Sequence, residues 1–89
     1  PALDMIARLQ EKRAKVTYHD PYIQNLEVGG THLRSVDLTQ QVLADADCVV
    51  IMTAHSVLDW GLVVENSQII MDTRNITKGL KSTGRIVKL

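Results

Sequence analysis

The sequence predicts an open α/β sheet with parallel strands and helices on both faces, in three layers, and three observations carry that prediction. Cys48-Val49-Val50-Ile51-Met52-Thr53 and Gln68-Ile69-Ile70-Met71-Asp72 are short, continuously apolar runs of the kind that parallel strands covered on both faces require. Amphipathic helical patterns alternate with these runs, which favours a parallel sheet. Each apolar run passes straight into a polar cluster, and in open sheets of this class ligands sit beyond the carboxyl ends of the strands. The 89 residues suffice for one small domain spanning the whole chain.

Taken in order, the first element is a helix. Ala2, Met5, Ile6, Leu9 and then Arg13 or Ala14 fall at the spacing of a buried stripe. Pro1 suits the first helical position, where a missing N–H costs nothing. The β-branched and aromatic run Lys15-Val16-Thr17-Tyr18-His19 reads as a strand closed by Asp20-Pro21. A helix followed by a strand is half of a βαβ unit, so a first strand is expected upstream of Pro1 and the chain reads as an N-terminally truncated piece of a larger protein. Residues 23–35 contain Gly29-Gly30 and no clear period, and are expected to form a loop.

A short helix over 39–44 follows, with Asp37 or Thr39 as its N-cap. After the first apolar strand, Ser56-Val57-Leu58-Asp59 resembles a capping box that opens a helix through Trp60, Leu62, Val63 and Val64. Gly61 inside it costs about 1 kcal/mol relative to alanine. Beyond the second apolar strand, the turn glycines Gly79 and Gly84 set off Arg85-Ile86-Val87-Lys88-Leu89 as an edge strand.

Composition narrows the function. Ten basic residues balance ten acidic ones, so no polyanion-binding surface is expected and nucleic acid is not a predicted partner. The aromatics are Tyr18, Tyr22 and Trp60, too few for a base-stacking platform. No apolar run has the roughly 18 residues of a membrane span, and no signal peptide is legible, so a cytoplasmic protein is expected. Cys48 is the single cysteine, which excludes an internal disulfide and any multi-cysteine zinc site. At the head of a central strand it reads as a small buried hydrophobe.

The polar clusters at the strand ends are His19-Asp20-Pro21, Thr53-Ala54-His55-Ser56 and Asp72-Thr73-Arg74-Asn75. If their strands run parallel, all three gather on one rim. Arg74 is the strongest candidate, because its planar fork takes two phosphate oxygens at once. The competing account is an ion pair with Asp72 or Asp20. Asp72 either fixes Arg74, accepts a ligand hydroxyl or caps the following turn, and Asp20 either meets a ligand or closes an Asx-turn. His55 stands beside Ser56 and Asp59, but no nucleophile elbow or oxyanion loop accompanies them. His19, His32 and His55 match no local metal-ligand spacing. Trp60 reads as core. Gly29-Gly30 lacks the Gly-x-Gly-x-x-Gly fingerprint of dinucleotide binding. These residues therefore form no catalytic constellation; they form a rim able to bind an anion.

Several strings occur in a fixed order: Pro1-Ala2-Leu3-Asp4-Met5-Ile6, Tyr18-His19-Asp20-Pro21-Tyr22, Ala46-Asp47-Cys48-Val49-Val50-Ile51 with Thr53 and His55, and Asp72-Thr73-Arg74-Asn75. Together they resemble the C-terminal, UDP-binding domain of the UDP-glucose/GDP-mannose dehydrogenase family, closest to members that oxidise UDP-N-acetyl-hexosamines such as UDP-N-acetylglucosamine. The resemblance covers essentially the whole chain and implies a Rossmann-like sheet. It implies an NAD-dependent parent that oxidises the C6 alcohol of a nucleotide sugar to a carboxylate in two hydride transfers. It places NAD and the catalytic cysteine in upstream regions that this chain lacks, so Cys48 does not inherit that role. It matches Arg74 to the family arginine that contacts the nucleotide sugar, with Asp72, Asp20 and His55 as weaker substrate-binding candidates. Ala54 stands where relatives commonly carry Asp, which puts any role for His55 in doubt.

Two functions are therefore expected. The first is grip on the UDP part of a UDP-sugar by one domain of a homo-oligomeric dehydrogenase. The second is a non-catalytic interaction domain without a ligand of its own, which pairs with a second copy through an exposed sheet edge.

Overall fold

The computed structural model describes residues 2–81 and 84–88. Pro1 and Leu89, which the sequence places in the first helix and the last strand, lie outside the described residues. The chain divides into two compact units, Pro1–Asp37 and Leu38–Leu89.

In the first unit, helix α1 spans Ala2–Glu11. Ile6 is buried, with Ala2, Met5 and Leu9 half-buried along the predicted stripe. The helix stops before Arg13 and Ala14, and neither joins that stripe; both are exposed. Arg13 takes a left-handed conformation (φ 65°). Its N–H donates to the Gln10 carbonyl at 2.9 Å, and that of Ala14 donates to Leu9 at 3.0 Å. This pair of bonds ends a helix by satisfying its last carbonyls.

Two expectations for this unit are corrected. Residues 14–20 form no strand. Their polar groups are taken up by a clasp onto residues 35–36 instead of a ladder: the Val36 N–H donates to the Tyr18 carbonyl at 2.9 Å, and His19 Nδ1 donates to the Val36 carbonyl at 2.7 Å. The Asp20 N–H donates to Ser35 Oγ at 3.0 Å. Residues 23–35, read as a loop, form an antiparallel hairpin of β1 (Asn25–Val28) and β2 (Thr31–Arg34). Gly29 and Gly30 both have positive φ, 56° and 81°. A two-residue turn with both residues left-handed matches the twist of a hairpin, and glycine adopts it without strain. A Cβ at either position would meet nothing within 4 Å, so the backbone conformation, not space, selects glycine. Opposite each other in the ladder, His32 and Glu27 are bridged at 2.7 Å.

The second unit holds the parallel sheet. Helix α2 (Gln40–Asp45) starts at Thr39, whose Oγ1 accepts the Val42 N–H at 3.2 Å. Strands β3 (Val49–Ile51), β4 (Ile69–Asp72) and β5 (Arg85–Lys88) are parallel and lie in the order β3-β4-β5. The edge position of Arg85–Lys88 agrees with the sequence. Helix α3 (Trp60–Asn66) connects β3 to β4. In-register rows Val49–Ile70–Ile86 and Ile51–Asp72–Lys88 share one face of the sheet. On that face Ile51 and Ile70 form the core with Leu43 of α2 and Val63 and Val64 of α3, and Trp60, Val49 and Ile86 pack around it. The other face carries Val50, Met71 and Val87, all half-buried, and Ile69, which is 41% exposed.

The start of α3 differs from expectation. Asp59, not Ser56, is the N-cap: its Oδ1 accepts the Leu62 N–H at 3.0 Å. A Cβ on Gly61 would stand 3.3 Å from that same oxygen. The glycine that weakens the helix by propensity thus leaves room for its cap. Asp59→Ala is expected to cost about 1 kcal/mol in urea unfolding, whereas Ser56→Ala stays within about 0.5 kcal/mol. Equal losses would return the cap to Ser56. Cys48 is also corrected: it precedes β3 and is exposed, because the ladder begins one residue later.

Candidate functional site

Because β3 and β4 run parallel, the clusters that follow them, Thr53-Ala54-His55-Ser56 and Asp72-Thr73-Arg74-Asn75, stand on the same rim of the sheet. They are tied together. Thr73 Oγ1 donates to the Ile51 carbonyl at 2.5 Å, and the Thr73 N–H points to the same oxygen at 3.3 Å. The third cluster, His19-Asp20-Pro21, belongs to the first unit and follows no strand of this sheet.

Asp72 is the centre of the β4 turn. It has no exposed surface, and its carboxylate accepts four hydrogen bonds. Oδ1 takes the N–H groups of Arg74 at 3.0 Å and Ile76 at 3.3 Å. Oδ2 takes both the N–H of Thr77 at 2.9 Å and its hydroxyl at 2.6 Å. Burial by itself pushes the carboxyl pKa up. The Thr77 hydroxyl and the three N–H groups outweigh it and hold the pKa at about 2, below the ordinary 3.8. The chain reverses at Asn75, which is left-handed (φ 57°). Asparagine is among the few residues that tolerate this conformation. The reversal is what lets N–H groups on both sides of Asn75 converge on one carboxylate.

Arg74 is exposed on this turn. Its backbone N–H, not its guanidinium, goes to Asp72. Among the described residues of the second unit its guanidinium has neither a hydrogen bond nor an ion pair, so the ion pair weighed for it with Asp72 is not formed. On the neighbouring cluster His55 is half-buried, and its carbonyl accepts Trp60 Nε1 at 3.1 Å and the Leu58 N–H at 3.2 Å. Trp60 therefore both packs on the core and braces the β3 turn. In the first unit, Asp20 Oδ1 accepts the N–H groups of Tyr22 at 2.7 Å and Ile23 at 3.1 Å, which is an Asx-turn.

The sequence reading missed Thr77. The signal was available in part: a hydroxyl residue five positions after Asp72, in a segment with the apolar Ile76 and the turn glycine Gly79. Only burial distinguishes it from the exposed polar residues around it, and Thr77 is 1% exposed.

Among the described residues no cluster of histidine, cysteine and acidic side chains could hold a metal ion. No helix there is long and apolar enough to cross a membrane. A parallel α/β sheet whose rim carries a carboxylate-wired turn and an exposed arginine defines a domain of the open-sheet class. The chain matches the UDP-glucose/GDP-mannose dehydrogenase family, UDP binding domain, over residues 1–79, and it belongs to that family. No curated protein and no solved structure matches it. The family match takes in the rim turns after β3 and β4 and ends before β5.

Proposed function

We propose that this chain grips the UDP part of a nucleotide sugar within an NAD-dependent 6-dehydrogenase, whose substrate is a UDP-N-acetyl-hexosamine or a UDP-hexose. The observation that carries this reading is Arg74: an exposed guanidinium with no anion against it among the described residues of its unit, displayed by a turn that Asp72 builds. Its fork supplies two parallel hydrogen bonds to diphosphate oxygens. Asp72 acts here by shaping the turn, and His55 lies on the same rim. Asp20 remains a ligand candidate of the first unit. Fixing the nucleotide sets the position of the sugar, and a displacement of about 1 Å at the reacting carbon costs about a hundredfold in rate.

The glycine pair of this chain does not fit NAD. Gly29-Gly30 closes a hairpin and does not lead from a strand into a helix, so it makes no pyrophosphate cradle. The hydride chemistry that oxidises the C6 alcohol to a carboxylate therefore falls to other parts of the parent, which this reading makes a cytoplasmic homo-oligomer.

The test is an NMR titration of the chain with UDP, UDP-N-acetylglucosamine, GDP and NAD, repeated with Arg74→Ala. Shifts at residues 53–56 and 72–75 are expected with the UDP compounds. The substitution should weaken UDP by about tenfold or more, since each charge-assisted bond contributes about 1.5–3 kcal/mol. Unchanged UDP affinity in Arg74→Ala overturns the assignment. A second reading, a self-associating domain without a ligand, is favoured by Ile69, an exposed apolar residue on the sheet face that also carries Val50, Met71 and Val87. Concentration-dependent scattering from a chain that ignores all four ligands would select it.

A further inference from the structure

We propose that Thr77 is a positioning residue for the arginine grip: its hydroxyl orients the Asp72 carboxylate, and through it the backbone from which Arg74 reaches the diphosphate. The proposal rests on the nucleotide-gripping role assigned above to Arg74. Three observations carry it. The Thr77 hydroxyl donates to Asp72 Oδ2 at 2.6 Å, the shortest of the four bonds to that carboxylate. Short hydroxyl-to-carboxylate bonds are about twice as strong as neutral ones. Both partners are buried, Thr77 at 1% and Asp72 at 0% exposure, so water does not replace a lost bond cheaply.

The second observation is the division of labour at Asp72. Thr77 occupies Oδ2 with its hydroxyl and its N–H, which leaves Oδ1 turned toward Arg74 and Ile76. Remove the hydroxyl and the carboxylate plane is held by N–H groups alone. Its hold is then weaker, and the longer bond to Ile76 is the first to go. The third observation is the left-handed Asn75 immediately after Arg74. Asparagine tolerates that conformation, and its surroundings select it from the others open to the residue. Here the surroundings are the N–H groups of Arg74, Ile76 and Thr77 gathered on one carboxylate. Loosening that carboxylate therefore changes the direction in which Arg74 leaves the turn, although no atom of Thr77 touches the ligand.

The experiment measures UDP affinity and thermal midpoint for the wild-type chain, Arg74→Ala, Thr77→Val, Thr77→Ser and the remote core variant Val63→Ala. Thr77→Val keeps the shape and the backbone N–H and deletes only the hydroxyl. It is expected to weaken UDP about tenfold, the equivalent of one Arg–phosphate hydrogen bond. Thr77→Ser should restore wild-type affinity, and Val63→Ala should lower the midpoint without moving affinity. Wild-type affinity in Thr77→Val overturns the proposal, as does an equal affinity loss in Val63→Ala, which would make Thr77 a stability residue only. Should the valine variant not fold, Thr77→Ala, which also deletes the hydroxyl and keeps the backbone N–H, is read in the same way. Wild-type UDP affinity in Arg74→Ala is a different result: it overturns the grip itself, and the role of Thr77 with it.

Discussion

Asp72→Ala is expected to be the most damaging single substitution in the second unit, with a loss of about 3–5 kcal/mol in urea unfolding. The carboxylate it removes satisfies three backbone N–H groups and the Thr77 hydroxyl, in a place with no exposed surface. Each buried donor left without a partner costs about 1–3 kcal/mol, and water entering the cavity offsets only part of that sum. For a domain of this size the thermal midpoint should drop by about 15–30 °C. Asp72→Asn keeps one acceptor but turns an NH₂ group toward donors, so it should fall between the two. A loss below about 1 kcal/mol for Asp72→Ala would show that the turn is held by something other than this carboxylate.

The same group makes an acid-range prediction. Its folded pKa of about 2 lies below the ordinary 3.8. The unfolded chain therefore binds the proton more readily, and the stability that Asp72 contributes is complete above about pH 4. It is lost as the pH falls toward 2, by an amount on the order of 2 kcal/mol. Acid unfolding of Asp72→Asn should lack this component, and a wild-type curve with the same acid slope as the variant would refute it.

Gly84→Ala is expected to cost about 3 kcal/mol, at the upper end for inserting one methyl group into packed surroundings. A Cβ at Gly84 would overlap the backbone carbonyl oxygens of Ser67 and Gln68. Backbone atoms do not move aside as a flexible side chain does. The Gln68 carbonyl also accepts the Arg85 N–H at 3.0 Å, the first link between β4 and β5. The expected result is local as well as global: β5 separates from β4, and the amides of Arg85 and Val87 lose protection from hydrogen exchange while those of β3 keep it. Protected β5 amides in the alanine variant would show that the crossing adjusts without losing the strand.

Elements whose stabilising contacts lie within a few residues were legible in the chain. The α1 stripe announces itself through its 3.6-residue period, the α2 cap through Asp37 or Thr39 ahead of a helical segment, and β3 and β4 through continuous apolar runs, all of which are local properties. The hairpin is marked in the chain by a single dipeptide. Gly29-Gly30 is a hairpin turn signal, and the flanking strands are too polar to show a period of their own. The α3 cap was misplaced because Ser56 and Asp59 both satisfy a local capping pattern; the carboxylate that reaches Leu62 decides between them.

The site divides along the same line. That Arg74 follows a buried strand and could meet a phosphate is readable from the order of residue types, and the parallel sheet then sets its turn beside the one that follows β3. What the order of residues left open was the partner of each charge. Asp72 could have paired with the Arg74 guanidinium, and the string Asp-Thr-Arg-Asn looks the same either way. Burial decides it: with no exposed surface, the carboxylate must be satisfied from every side, and the nearest donors are the N–H groups of its own turn and the hydroxyl of Thr77. Residues 14–20 make the reverse point. Their composition suits a strand, but strand pairing needs a partner edge, and the clasp onto Ser35 and Val36 supplies the hydrogen bonds instead. Sequence by itself determined where apolar surface must be buried and which residue types stand at the strand ends. Tertiary structure alone decided which polar groups are consumed in holding those ends and which, like the Arg74 side chain, stay exposed, because hydrogen-bond accounting closes only when every buried donor and acceptor has been placed.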